Sequence, residues 1–212
     1  RCLDVGAAYG TGSQVFQEIG YQVETLEPED DKANYIRNFL KIPVFSGSLQ
    51  DFPTPKEPFD LVIFAHCLEH LDDPKSAVAK IRQLVKPDSG VLYMEIPIVW
   101  NFVTWSDALY MAHKSNFTED NIYSLLAEFG FQVLETTWFH HASPDEPFHL
   151  GIVAKPVSNA LNHVPANSGD GKHSVDEVKE LFRKEFPLEK VPSLDKALRY
   201  SVPYIEQFYS TL

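Results

Sequence analysis

The sequence predicts an α/β fold, and three observations carry that reading. Seven short strand-like runs alternate with helix-like runs between Cys2 and Ala154, the pattern of strands joined by crossover helices. A glycine-rich turn links the first strand-like run to the first helix-like run. The composition, 44% hydrophobic and 23% charged over 212 residues, suits one packed core with an appendage, and no apolar run approaches the roughly 18 to 20 residues of a membrane span.

The strands are expected at residues 2–5, 22–26, 44–47, 59–65, 91–96, 132–138 and 149–154. A first helix at 13–19 stops at Gly20, and a second at 31–40 places Ile36, Phe39 and Leu40 on one face. Asp73 followed by Pro74 reads as an N-cap with proline at the first helical position; Val78, Ile81 and Val85 form the apolar stripe, and Pro87 ends it. Thr118 caps a further helix whose Glu119 and Asp120 suit the positive end of the helix dipole. Its Ile122, Leu125, Leu126 and Phe129 face inward, with Gly130 beyond.

Two stretches break the alternation. Residues 97–117 carry Trp100, Phe102, Trp105, Tyr110 and Met111 without clean periodicity and read as a candidate lid. Residues 157–173 read as a linker rich in Asn, Ser, Gly and Asp, separating a core at 1–156 from a short helical appendage at 174–212, where Ser174 and Glu177 make a capping box.

A net charge of −12 and a pI near 5.0 disfavour a nucleic-acid substrate, whose phosphates demand clustered Lys and Arg. Cys2 and Cys67 are read as lying in two core strands. They show neither a disulfide framework nor a metal-ligand spacing, so a reducing cytoplasm is expected. The chain opens on Arg1 with no Met, signal peptide or leading helix, and the natural protein is expected to begin earlier.

The chemistry begins at Leu3-Asp4-Val5-Gly6-Ala7-Ala8-Tyr9-Gly10-Thr11-Gly12, where residues tolerating positive φ let backbone approach a ligand closely. Glu27 ends the second strand, placed to accept hydrogen bonds from both ribose hydroxyls of an adenosine. Gly6, Gly10 and Gly12 give G-x-x-x-G-x-G rather than the G-x-G-x-x-G of a dinucleotide site, which opposes a nicotinamide-dependent oxidoreductase.

The pattern D-x-G-x-x-x-G resembles instead the first motif of class I S-adenosylmethionine-dependent methyltransferases, and the resemblance continues along the chain. Glu27-Pro28 is similar to the ribose-binding motif, and Gly47 to Pro53 to the segment at the adenine edge. Phe59 to Pro74, containing Ala65-His66-Cys67-Leu68-Glu69-His70, resembles the fourth-strand motif of the branch with ubiquinone-pathway and sugar or small-molecule methyltransferases. Leu84 to Leu92, His113 to Thr118 and Phe129 to Phe131 match later segments. The resemblance implies a Rossmann-like doubly wound seven-stranded sheet, mostly parallel with an antiparallel last strand. It implies S-adenosyl-L-methionine held by Asp4, Gly6, Ala8, Tyr9, Gly10, Glu27, Pro28, Ser48, Leu49, Ala65 and His66. Ala8 stands where the family usually has a glycine, and Ser48 where many members carry an aspartate for the adenine amino group.

For a hydroxyl acceptor the candidates for acid–base work are His70 and His113, with Glu69 as an orienting partner and His66 third; each also has a structural reading as a loop anchor. His140, His141 and His149 are read as lining the mouth or packing, with no metal-ligand pattern among them. Trp100, Trp105 and Tyr110 offer faces for a sugar or aromatic ring, and Lys114 is the lone cation of their segment, so a small-molecule or carbohydrate acceptor is expected. The alternative is a catalytically inactive cofactor-binding or interaction module. Nothing in the sequence decides the oligomeric state.

Overall fold

A computed structural model describes residues 1–87, 89–98, 112–139 and 149–158. Seven strands form one sheet: β1 (Cys2–Val5), β2 (Val23–Glu27), β3 (Val44–Ser46), β4 (Leu61–Ala65), β5 (Val91–Pro97), β6 (Phe131–Phe139) and β7 (His149–Pro156). Their order is β3-β2-β1-β4-β5-β7-β6. The pairs from β3 through β5 are parallel, whereas β7 runs antiparallel to both β5 and β6. The Rossmann-like sheet expected from the sequence is thus present, antiparallel last strand included.

Alternation along the central strands sends successive residues to opposite faces. Cys2, Val23 and Ile63 pack with Ile36 and Ile42 on one side. Leu3, Val5, Val62, Phe64, Leu92 and Met94 pack on the other. That second layer is covered by helix α3 (Pro74–Leu84) through Val78, Ile81 and Leu84, and by helix α4 (Glu119–Glu128) through Ile122, Leu125 and Leu126. Both helices start as expected: Asp73 accepts from the Ser76 amide, and Thr118 and Asn121 complete a reciprocal capping box.

Four expectations need correction. Phe59 lies before β4, in an isolated bridge to Val85; Val85 has left α3, and its neighbour's amide, Lys86 N–H, donates to the Phe59 carbonyl. The second helix is regular only over α2 (Asp30–Tyr35) and continues as a π turn (Ile36–Leu40). That wider i→i+5 turn keeps Ile36 buried but swings Phe39 outward; Phe39 is 73% exposed and stacks on Tyr35 at 5.1 Å between ring centroids. Cys67 follows β4 and precedes a 3-10 turn (Leu68–His70) rather than lying in a strand. The first helix, α1, spans Thr11–Glu18 and starts two residues earlier than expected, directly on Gly10.

Trp100, Phe102, Trp105, Tyr110, Met111, His140 and His141, with the stretches 159–173 and 174–212, lie outside the described residues. Among the described residues no helix is long and apolar enough to cross a membrane.

Candidate functional site

In an open α/β sheet, ligands bind beyond the carboxyl ends of the strands where the strand order reverses. Here the reversal falls between β1 and β4. The turn after β1, the end of β2 and the turn after β4 therefore share one edge.

The β1 turn is shaped by backbone. Gly6 and Gly10 adopt φ of 74° and 73°, and Ala8 between them adopts 50°. A Cβ on Gly6 would lie 2.3 Å from Cys67 Sγ, and one on Gly10 would lie 2.7 Å from Leu40 Cδ1, so neither site accepts a side chain. Ala8 takes the left-handed conformation that its alanine resists, which explains the glycine usual there in the family it resembles.

Two buried acids brace this turn. Asp4 accepts from the Ser13 hydroxyl at 2.5 Å, tying β1 to the first turn of α1. Burial pushes its carboxyl above the ordinary range, partly opposed by the Ser13 hydrogen bond. Glu27, 3% exposed, accepts from the Ala8 amide at 2.7 Å and the Glu29 amide at 2.9 Å. Each of its oxygens keeps a further lone pair for a hydroxyl. Tyr9 and Pro28 are exposed, Leu49 is buried, and Ala65 is half-buried. Tyr9 packs edge-on against Tyr35. Ser48 donates to Asp51 at 2.6 Å, so a carboxylate stands beside the position where the sequence showed only a hydroxyl.

The other half of the edge is built from ionisable side chains. His66 sits just beyond β4 in a left-handed conformation, φ 52°, with its amide on the Glu95 carbonyl. Its ring donates through Nε2 to Glu95 Oε1 at 2.9 Å, and Nδ1 stands 3.6 Å from Glu69 Oε1. Glu69 and Glu95 together hold the imidazolium, raising its pKa to about 9. His149 lies against His66 at 4.3 Å between ring centroids, with Nδ1 3.6 Å from Glu95; Tyr93 donates to the remaining Glu95 oxygen at 3.0 Å. His149 and His66 hold the Glu95 carboxyl far below the usual carboxylate range.

Glu69 and His70 follow on the 3-10 turn. The amides of Lys114 and Ser115 donate to the Glu69 carbonyl at 2.7 and 3.1 Å, which brings residues 112–117 onto that turn and sets His113 beside His70, their ring centroids 5.0 Å apart. His70 donates through Nδ1 to the Ala112 carbonyl at 2.8 Å. Burial lowers the pKa of His113, with nearby Glu69 acting in the opposite direction.

All four acid–base candidates from the sequence thus gather at one place. The sequence reading missed Glu95 and Tyr93 and gave His149 only a place near the mouth. Glu95 had a readable signal, a carboxylate inside the otherwise apolar end of Val91–Pro97. The pairing of Pro97 with His149 had none, because it joins segments about fifty residues apart.

Comparison with known proteins identifies the family and the fold. A methyltransferase-domain family model matches residues 1–136. A ubiquinone biosynthesis O-methyltransferase of Haemophilus ducreyi is 34% identical over 104 residues, 44% of each chain. An uncharacterized methyltransferase of a Geobacillus species is 27% identical over 97 residues, 44% of this chain and 46% of the relative. The match spans less than half the length of these curated relatives. In fold, the chain is similar to an S-adenosylmethionine-dependent methyltransferase of Mesorhizobium loti, with TM-score 0.61 and 18% identity over 73% of this chain and 89% of that one. It is similar also to an N-methyltransferase of Bradyrhizobium japonicum solved with S-adenosyl-L-homocysteine, with TM-score 0.60 and 17% identity over 73% and 77% of the two chains.

Proposed function

The chain belongs to the methyltransferase-domain family, and from that premise we propose that it transfers a methyl group from S-adenosylmethionine to a hydroxyl of a small-molecule or carbohydrate acceptor. The observation that carries the cofactor half is Glu27, a buried carboxylate fixed by the Ala8 and Glu29 amides at the end of β2, next to a turn whose Gly6 and Gly10 resist a side chain. Glu27 would hold the ribose, the Gly6–Gly10 backbone the amino-acid end, and the segment from Ser48 to Phe52 the adenine edge. When bound, S-adenosylmethionine supplies a methyl carbon activated by the sulfonium charge and keeps the electron pair of the broken carbon–sulfur bond on sulfur.

The acceptor half must orient a hydroxyl and dispose of its proton. Orientation alone removes about 7 to 11 kcal/mol of barrier in favourable cases, and assisted proton loss adds about 10²- to 10⁴-fold. His66 is occupied as a cation between Glu69 and Glu95, so it positions rather than accepts. Glu69, His70 and His113 remain for the proton. The curated O-methyltransferase relatives support a hydroxyl acceptor, and the acidic balance of the chain argues against a polyanionic one.

The test has two parts. S-adenosylmethionine and S-adenosylhomocysteine should raise the melting temperature, because a ligand that binds only the native state stabilises it; no shift at millimolar ligand removes the cofactor assignment. Labelled cofactor should then pass its methyl group to low-mass or glycan fractions. Label entering RNA or DNA with a steep salt dependence overturns the acceptor reading.

A further inference from the structure

Ser48 leaves the loop after β3 without a charge at the residue where an aspartate is usual, and the structure returns that charge from three residues further on. Ser48 Oγ lies 2.6 Å from Asp51 Oδ2. An ionised carboxylate only accepts, so the hydroxyl proton lies between the two oxygens. The Asp51 amide donates to the same Oγ at 3.3 Å. With its proton and one lone pair engaged, the Ser48 oxygen has one lone pair left. Both side chains are exposed at the loop surface.

The loop stands on the side of the cleft where a base would lie. Ser46 pairs with Glu27 across the β2–β3 ladder, and the Gly47 amide donates to the Glu27 carbonyl at 3.2 Å. A ribose on the Glu27 carboxylate, with its amino-acid end over the Gly6–Gly10 turn, directs its base the other way, toward β3. The Ser48–Asp51 bond is not what holds this loop. Leu49 and Phe52 are each 6% exposed, Phe52 sits edge-on to Phe45 at 5.3 Å between ring centroids, and Gln50 Nε2 donates to Ser76 Oγ at 3.0 Å.

We infer that Ser48 and Asp51 act as a relay that reads the 6-amino group of the cofactor's purine, Ser48 touching the base and Asp51 serving as the positioning residue behind it. This rests on the proposed cofactor site and adds its base selectivity. By taking the hydroxyl proton, Asp51 turns Ser48 into an acceptor and raises the electron density on its free lone pair. The pair then offers a purine only acceptors. An amino group donates to them; a 6-oxo group meets lone pair with lone pair and leaves both sides unsatisfied. A serine whose proton were free could turn to suit either group, so the selectivity comes from Asp51.

The test compares two ligands that differ only at this position, S-adenosylhomocysteine and S-inosylhomocysteine, by calorimetry on the full chain. The wild-type chain should prefer the 6-amino compound by roughly 10- to 100-fold, the range of a charge-assisted hydrogen bond. In Asp51→Asn the new amide can donate to Ser48 and release its hydroxyl to point outward. The preference should fall to within about threefold, chiefly through weaker S-adenosylhomocysteine binding. Ser48→Ala should lose most of the preference as well. Asp31→Asn removes the same charge from the exposed first turn of α2 and should keep the wild-type ratio.

Equal binding of the two compounds by the wild-type chain overturns the relay. So does an undiminished preference in both Asp51→Asn and Ser48→Ala, which would leave their bond a local turn contact. An equal loss in Asp31→Asn also overturns it, because the effect would then be one of overall charge. These results remove discrimination and leave binding intact. Failure of the methyl-transfer reading is distinct from them: the folded wild-type chain then binds neither compound, and the relay falls with the site it serves.

Discussion

The two halves of the candidate site are built by opposite means. On the β1–β2 side, backbone makes the shape: positive-φ residues at Gly6, Ala8 and Gly10, and a carboxylate, Glu27, satisfied by amides before any ligand arrives. On the β4–β5–β7 side, side chains make it: four histidines and two glutamates, one of which, Glu69, is buried with no hydrogen bond to its oxygens among the described residues. A ligand of fixed shape can be met by preorganised backbone. A reacting hydroxyl, whose charge changes during the reaction, is met by ionisable groups placed where that charge develops. Mutations should therefore hurt the first half through shape and the second through charge.

The largest effect should come from filling the backbone turn. Gly10→Val places a branched side chain at φ 73°, against Leu40 and Ile36, and should weaken S-adenosylhomocysteine binding by at least ~3 kcal/mol by calorimetry. Gly6→Ala should be nearly as severe, since its Cβ would meet Cys67 Sγ. In the double variant Gly6→Ala, Cys67→Ala the steric part should be recovered and the positive-φ cost of about 1 to 2 kcal/mol should remain. If Cys67→Ala recovers nothing, the turn is not held by this contact.

Next is charge in the first half. Glu27→Ala removes charge-assisted bonds to ligand together with the acceptor for the Ala8 amide, and should cost about 1 to 3 kcal/mol in cofactor affinity. The same variant should lower stability, because Glu27 holds two amides in the free protein. Unchanged affinity would place the ribose elsewhere and erase the contrast between the two halves.

The first half was also the more legible in the sequence, for a physical reason. Gly6, Gly10 and Glu27 act through local backbone and a strand end, and local rules reach them; the caps at Asp73 and Thr118 were readable on the same ground. The second half depends on what the sheet brings together. Glu95 meets His66 because Ala65 pairs with Glu95, and His149 arrives because β7 inserts antiparallel beside β5. No spacing in the chain encodes either contact. Phe39 fails for a subtler reason: its periodicity is helical, but the π turn at Ile36–Leu40 shifts the register by a residue that no capping signal announces.

Glu69 reverses the sign of the comparison. Glu69→Gln replaces one of the two carboxylates that flank the His66 imidazolium with a neutral amide of the same shape, and His66 keeps its partner Glu95. Stability should rise by about 1 kcal/mol in urea unfolding while methyl transfer falls, the exchange expected of a group kept for function. A loss of stability comparable to that of Glu27→Ala would mean that Glu69 is a structural anchor, and the two halves would no longer differ in kind.

The smallest effect should lie at Ala8, where the backbone-built half carries its one strained alanine. At φ 50° a Cβ costs roughly 1 to 2 kcal/mol relative to glycine. Glycine in turn loses about 0.5 to 1 kcal/mol through the greater freedom of its unfolded chain. Ala8→Gly should therefore raise stability, by about 0.5 kcal/mol, and leave cofactor affinity within about threefold, since the Ala8 amide that Glu27 accepts is still present. Ala8→Val should go the other way, because a β-branched residue at positive φ is an outlier even in strained sites. Chemical denaturation of the three proteins side by side decides it. If Ala8→Gly lowers stability by more than about 1 kcal/mol, residue 8 is not left-handed in solution, and the first half is shaped by its side-chain anchor Glu27 rather than by backbone.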